Sequence, residues 1–307
     1  MNKPITYAYL ETTNYCNLDC SFCNRKEVIG ALQHMPVPRF RQMLENIKHH
    51  PITEAKLMGM GEPMLHPKFD EICKIFKEYF PKAFLIVATN CQYPIRPGTK
   101  MGNKFNECMK YIDLMYFSID GYKASYERDR APAKWDKLMK FLEDFKPMDR
   151  HGCRVTCNYV VNTDNIGDIE IINDKIVKVY DLEELRLNIA QEWSEDKSMP
   201  GGYTLEQIDY LNKNWKENIK GKSEWDFPDC FWVKEGIYTT VEGHVKMCCL
   251  NTGAEPFGNL FENTIEDIRN TKDFQAVQQG CATGNPTSHC ATCSYKELAP
   301  LLTQIRK

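Results

Sequence analysis

The stretch that decides the fold runs Thr6-Tyr7-Ala8-Tyr9-Leu10-Glu11-Thr12-Thr13, passes Asn14-Tyr15, and enters Cys16-Asn17-Leu18-Asp19-Cys20-Ser21-Phe22-Cys23. Its first part, rich in β-branched and aromatic side chains, predicts a strand over 6–13. Its second part packs three thiols into one short loop, close enough to converge on a single metal centre. A zinc site is normally closed by a fourth Cys or His, with two-residue spacers. An iron–sulfur cube held by three cysteines instead leaves one iron open to a substrate or cofactor. The bland alternative is three incidental thiols or part of a zinc knuckle.

Outward from this stretch, further strand patterns fall at 55–61, 83–90, 112–120, 154–162 and 184–190. Between them lie helical faces of period 3.6: Phe40, Met43, Leu44 and Ile47; Ile72, Ile75, Phe76 and Tyr79; Trp135, Leu138, Met139 and Leu142. Six strands joined by helical crossovers predict a parallel sheet. The fold class is therefore α/β, a partial (β/α)6 barrel over 1–190 with its chemistry at the C-terminal strand ends. Residues 191–229 break the alternation and hold one helix, marked by Leu205, Ile208, Leu211 and Trp215. From 230 to 307 the pattern predicts a small auxiliary domain. It comprises a β-hairpin over 231–241 and 245–250, a short helix over 264–270, and a cysteine-bearing tail.

Composition narrows the function classes. The chain has 307 residues, a formal net charge of −3 and fourteen cysteines. A near-neutral balance argues against a nucleic-acid surface. No apolar run reaches the ~18 residues of a membrane helix. The N-terminus has no secretory pattern, so the expected location is the cytoplasm, where cysteines serve as metal ligands and buried thiols rather than disulfides.

With its Cys-x3-Cys-x2-Cys spacing and Phe22 before the third thiol, the chain resembles the radical S-adenosylmethionine superfamily. The resemblance implies a 4Fe–4S cluster on Cys16, Cys20 and Cys23, with S-adenosylmethionine on the open iron. One electron then yields methionine and a 5′-deoxyadenosyl radical that abstracts a substrate hydrogen. Gly59-Met60-Gly61-Glu62-Pro63 looks like the family's Gly-Gly-Glu-Pro motif for the methionine amino group, with Met60 departing from the usual glycine. Thr89-Asn90, followed by Cys91 where relatives often have Gly, closes the third strand. Ser118-Ile119-Asp120-Gly121 resembles the family's S-x-D-G, and Tyr126-Glu127-x-x-Arg130 its Y-E-x-x-R. The resemblance thus assigns Phe22, Gly59, Gly61, Glu62, Asn90, Ser118, Asp120, Arg130 and Asn158 to cofactor binding. Within that set Arg130 pairs the cofactor carboxylate and Asn158 contacts the ribose. Taken singly, each strand-end polar residue is as well explained by helix capping.

The second set is Cys230-x12-Gly243-x4-Cys248 with Cys290-x2-Cys293. By spacing alone, four such thiolates also suit a structural zinc. The pattern resembles the SPASM and twitch extensions of radical S-adenosylmethionine enzymes, as does Phe257-Gly258-Asn259-Leu260 before a helix. With no cysteine after Cys293, it resembles the shorter twitch form with one auxiliary 4Fe–4S cluster. The layout is close to that of the 2-deoxy-scyllo-inosamine dehydrogenases. Cys249, expected on the opposite strand face from Cys248, and Cys281 are alternatives to an assigned ligand.

A closed auxiliary cluster suits electron transfer. The resemblance then implies two-electron oxidation of an alcohol on a small carbohydrate-like substrate, with an external donor such as flavodoxin or ferredoxin. Arg130, Tyr126 and His244 are the candidate proton acceptors. Twitch and SPASM proteins also modify peptides. For epimerisation, Cys91 is the candidate hydrogen-atom donor, while Cys73, Cys108, Cys153 and Cys157 are expected as core fillers. No leader-binding domain is expected before the barrel. A non-catalytic iron–sulfur or zinc scaffold is the reading from a different class.

Overall fold

The computed structural model of the chain describes residues 4–190, 203–221, 230–250, 253–291, 293 and 295–306. Six strands lie side by side in parallel: β1 (Tyr7–Leu10), β2 (Glu54–Lys56), β3 (Phe84–Thr89), β4 (Leu114–Ser118), β5 (Arg154–Val161) and β6 (Leu185–Ile189). Each neighbour is reached through a helical crossover, as parallel pairing requires. Three more strands continue the same sheet beyond β1. β7 (Gly236–Thr239) pairs parallel with β1, β8 (His244–Lys246) antiparallel with β7, and β9 (Gly258–Asn259) antiparallel with β8. The order is β6-β5-β4-β3-β2-β1-β7-β8-β9, and among the described residues it does not close. The barrel is therefore partial.

Alternation along the strands divides the sheet into two faces. Ala8, Leu10, Leu85, Val87, Met115, Phe117, Cys157 and Leu187 are buried with the apolar stripes of the crossover helices, including Phe40, Met43, Leu44 and Ile47 of Val37–Ile47. Each large side chain buried there contributes about 1.5–3 kcal/mol relative to exposure. Cys73, Cys108, Cys153 and Cys157 are buried in this layer as small apolar groups. The opposite face, the lumen, carries Tyr7, Tyr9, Lys56, Tyr116, Ser118, Asn158, Arg186 and Asn188.

Three strand expectations are corrected. β2 stops at Lys56 rather than 61, because the following chain is pulled over the first cysteine loop: Glu62 N donates to Tyr15 O at 2.7 Å. Residues 231–235 form a helix, Phe231–Glu235, with Trp232 set edge-on to Tyr7, and the strand begins only at Gly236. A Cβ at Gly236 would lie 2.7 Å from the Trp232 ring, so glycine permits this tight helix-to-strand joint. β8 ends at Lys246, before Met247. The helix expected within 191–229 is Leu205–Trp215, with Leu211 buried and Leu205 exposed. Residues 191–202 and 222–229 lie outside the described part.

Candidate active site and cysteine centres

The first cysteine loop leaves the C-terminal end of β1 and is held there by the ends of other strands. Asp19 N donates to Ala131 O at 2.6 Å, and Ser21 N to Asp129 O at 3.0 Å. Asn17 Nδ2 donates to Gln92 O at 2.9 Å, and Asn90 Nδ2 to Asn17 Oδ1 at 2.8 Å. Asn90 Nδ2 also reaches Cys16 Sγ at 3.8 Å. Leu18 anchors the loop in the core, while Cys16 and Cys20 are half-buried and Cys23 is exposed. The three sulfurs are near enough to feel one another's charge, and burial pushes the Cys20 thiol up to about 12. An all-sulfur donor set with one open side and buried hydrogen-bond support fits a three-cysteine iron–sulfur cluster.

Arg130 lies against this loop, 5.5 Å from the Phe22 ring centroid. Its Nε and Nη2 both reach Asp120 Oδ2 at 2.6 Å, and Asp120 Oδ1 accepts from Val160 N at 2.6 Å. The guanidinium fork expected for a cofactor carboxylate is thus engaged with Asp120. Although burial alone acts the other way, Asp120 and its neighbours also hold Arg130 still more firmly in its charged form. Tyr126 is fully buried. Its hydroxyl accepts from Gln92 Nε2 at 3.0 Å and faces Asn90 O at 3.5 Å, while burial raises its pKa well beyond the ordinary phenol range. It ties the third strand end to the fourth and has no open side for a substrate. Cys91 is likewise fully buried, with its thiol on Thr89 O at 3.7 Å.

The Gly59–Glu62 segment closes over the same mouth. A Cβ on Gly61 would fall 2.3 Å from Thr13 O, and one on Gly59 would fall 2.6 Å from Glu11 Cγ. Glycine is required at both by close approach. The Glu62 carboxylate turns inward. Oε1 accepts from Met64 N at 3.1 Å and Thr89 Oγ1 at 2.9 Å, and Oε2 accepts from Asn90 N at 2.7 Å. It clamps β2 to β3 and leaves the backbone of 59–61 at the surface of the mouth. Burial lifts its pKa to about 7 against these hydrogen bonds. Ser118 and Asn158 occupy neighbouring register positions, and Asn158 Oδ1 accepts from Asn188 Nδ2 at 2.8 Å.

Sequence reasoning missed Glu11. Its Oε1 accepts from Met60 N at 2.6 Å and its Oε2 from Val241 N at 2.9 Å, so one buried carboxylate joins the barrel mouth to the C-terminal hairpin. Burial raises it too to about 7. A lone acid ending an otherwise apolar strand was its only signal. Glu11, Met60, Asn14, Val28 and Tyr238 line a small pocket at this junction.

The second cysteine set sits at the other end of the same strands. Cys230 precedes the helix that packs on Tyr7, and Cys248 follows β8, which runs antiparallel to β7. Cys230, Cys248, Cys290 and Cys293 lie within electrostatic reach of one another, and Cys281 joins them through a hydrogen bond with Cys290. Trp232, Val233, Phe274 and Val277 surround them. These are five sulfurs with no histidine in the set, a donor chemistry that fits an iron–sulfur cluster. Cys249 is expected on the opposite strand face from Cys248, but β8 ends at Lys246 and neither cysteine lies in a strand. Cys249 packs on the edge of the same apolar cluster, within electrostatic reach of Lys56, Tyr7 and Tyr9.

Family profiles match both regions of the chain. The profile of the family described as "Radical SAM superfamily" matches residues 10–176, and that of "Iron-sulfur cluster-binding domain" (SPASM) matches residues 230–294. A tungsten-containing aldehyde ferredoxin oxidoreductase cofactor-modifying protein of Pyrococcus furiosus is 29% identical over 120 residues. These make up 37% of this chain and 30% of that protein, so the chain spans under a third of that relative's length. Among solved structures, Streptococcus suis SuiB bound to S-adenosylmethionine superposes with a TM-score of 0.71 at 16% identity. The match covers 99% of this chain and 72% of SuiB, which has also been solved with the precursor peptide SuiA. BtrN in complex with AdoMet and 2-DOIA superposes with a TM-score of 0.58 at 14% identity, covering 99% and 93% of the two chains.

Proposed function

The chain belongs to the radical SAM superfamily, and from that premise we propose that it oxidises an alcohol of a small, carbohydrate-like substrate by two electrons. When bound, the cofactors of this family supply a 5′-deoxyadenosyl radical for hydrogen-atom abstraction, and a second cluster supplies a one-electron acceptor. Cys16, Cys20 and Cys23 would hold the first cluster; Cys230, Cys248, Cys290 and Cys293 would hold the second. Phe22 and the Arg130–Asp120 pair fix the first loop. The close-packed Gly59–Gly61 backbone presents carbonyls to the methionine ammonium, while Asn90, Ser118 and Asn158 line the strand ends beside it. The external electron donor is of the flavodoxin or ferredoxin type.

The observation that carries this proposal is the placement of the two thiol sets at opposite ends of β1 and β7, with the lumen between them. A substrate in that lumen would lie between the cysteines that would hold the first cluster and those that would hold the second. Anaerobic reconstitution tests it. About eight irons per chain, 5′-deoxyadenosine on reduction, and a product lacking two hydrogens are expected. Zinc in the C-terminal site, or no cofactor cleavage, rejects it.

One observation favours a second reading, epimerisation of a peptide or sugar carbon. That chemistry needs a thiol donor, and Cys249, half-buried and within electrostatic reach of Lys56, is better placed for it than the fully buried Cys91. Turnover in deuterated water separates the two, since only epimerisation fixes solvent deuterium at a product carbon.

A further inference from the structure

The lumen carries two cations, Lys56 and Arg186, neither of which makes an ion pair among the described residues. Lys56 and Tyr9 are register partners on adjacent strands, and Tyr7 lies two residues below Tyr9 on the same face. Lys56 Nζ stands 5.7 Å from both tyrosine ring centroids. Among the described residues, no carboxylate comes within the 4.0 Å of an ion pair. Glu54, two positions down the same strand, is close enough to be felt but makes no such contact. Arg186 repeats the pattern from β6. Its guanidinium lies 5.2 Å from the Tyr116 ring centroid, with no carboxylate partner within the same distance. Nearby Glu184 is engaged instead with Lys220 at 2.9 Å.

Two like charges in one cavity repel, and half-burying a cation costs free energy unless an anion or water completes it. Elsewhere at this edge of the sheet, cations are matched: Arg154 of β5 with Glu183 at 2.6 Å, and Lys220, beyond the helix Leu205–Trp215, with Glu184. Tyrosine faces under an ammonium and a guanidinium hold each charge in place by cation–π attraction without neutralising it. An ammonium and a planar fork aimed into one lumen are the groups that recognise a carboxylate or a phosphate.

We propose that Lys56 and Arg186 form an anion subsite in the lumen, so that the substrate carries a carboxylate or phosphate group and is not a cationic amino sugar. This rests on the lumen being where the radical meets its substrate. It deepens that reading by naming the substrate's charge.

The test uses the reconstituted holoenzyme with S-adenosylmethionine and dithionite. A small-metabolite extract is separated on an anion-exchange resin, and stimulation of 5′-deoxyadenosine formation is measured for each fraction. The retained fraction is expected to stimulate. Lys56→Met should raise the amount needed for half-stimulation at least ~10-fold, as loss of one charge-assisted contact implies, whereas Lys56→Arg restores it. Phosphatase treatment of the retained fraction assigns a phosphate if stimulation disappears and a carboxylate if it persists. Stimulation confined to the unretained fraction, stimulation by neither fraction, or an unaltered requirement in Lys56→Met overturns the subsite. Absence of 5′-deoxyadenosine under every condition instead overturns the radical reading beneath it.

Discussion

The two cysteine centres are built in opposite ways. The first draws its three thiols from eight consecutive residues, and its loop is hydrogen-bonded to segments beyond β3 and β4. The second gathers its thiols from positions 230 to 293, carried by separate short elements around a small apolar cluster. The barrel therefore organises the first loop before any metal arrives. The second region depends on ligation to hold its pieces together, as small metal-bound domains generally do.

Losing one ligand from each centre is the strongest way to break that contrast. Cys16→Ala is expected to abolish 5′-deoxyadenosine formation while keeping the apparent unfolding midpoint within about 2 °C of the native holoprotein. Cys248→Ser should remove about four irons and lower the midpoint by about 5 °C or more. Equal thermal shifts in the two variants would dissolve the distinction. Next in size is the support under the first loop. Asp120→Ala leaves Arg130 as an uncompensated buried cation, at a cost of about 3–5 kcal/mol in urea unfolding. A cost under about 1 kcal/mol would show that the pair does not hold the loop.

The seam between the halves predicts a pH dependence. The buried Glu11 carboxyl is raised from 4.5 to about 7, so it is easier to protonate folded than unfolded. Its contribution to stability is full below about pH 4.5 and is lost as the pH rises through about 7, a span of about 3 kcal/mol for one such group. Glu11→Gln should flatten the fall in stability between pH 5 and 8, and an unchanged slope would reject the assignment. The smallest effect belongs to Cys249→Ser. It should keep native iron content and change stability by less than about 1 kcal/mol, in contrast to its neighbour Cys248. Loss of iron from this variant would move Cys249 into the ligand set.

What was legible in the sequence follows the same contrast. Cys16, Cys20 and Cys23 declare themselves by spacing, and six alternating strands declare a parallel sheet, because both signals are local. The contact between Arg130 and Asp120 was not legible although both residues were noticed, since a motif names residue types and not which neighbour takes the fork. Phe231–Glu235 looks like a strand by composition, and only packing of Trp232 on Tyr7 turns it into a helix. The docking of β7 on β1, the clasp at Glu11 and the approach of Cys249 to Lys56 all depend on contacts between residues far apart in sequence. No periodicity reports these.

The pairing of β7 with β1 has a consequence for how the chain is made. Thr6 Oγ1 meets Glu235 Oε2 at 3.1 Å across a separation of 229 residues. During synthesis, β1 therefore emerges with one flank destined for a partner that the ribosome has not yet built. Until β7 arrives, that flank is an open hydrogen-bonding edge, the kind that recruits stray strands from other chains. A nascent chain halted before residue 230 would carry the complete first cysteine motif on an unguarded edge. Translation must outrun self-association before the iron centre at the mouth of the barrel has a finished wall behind it.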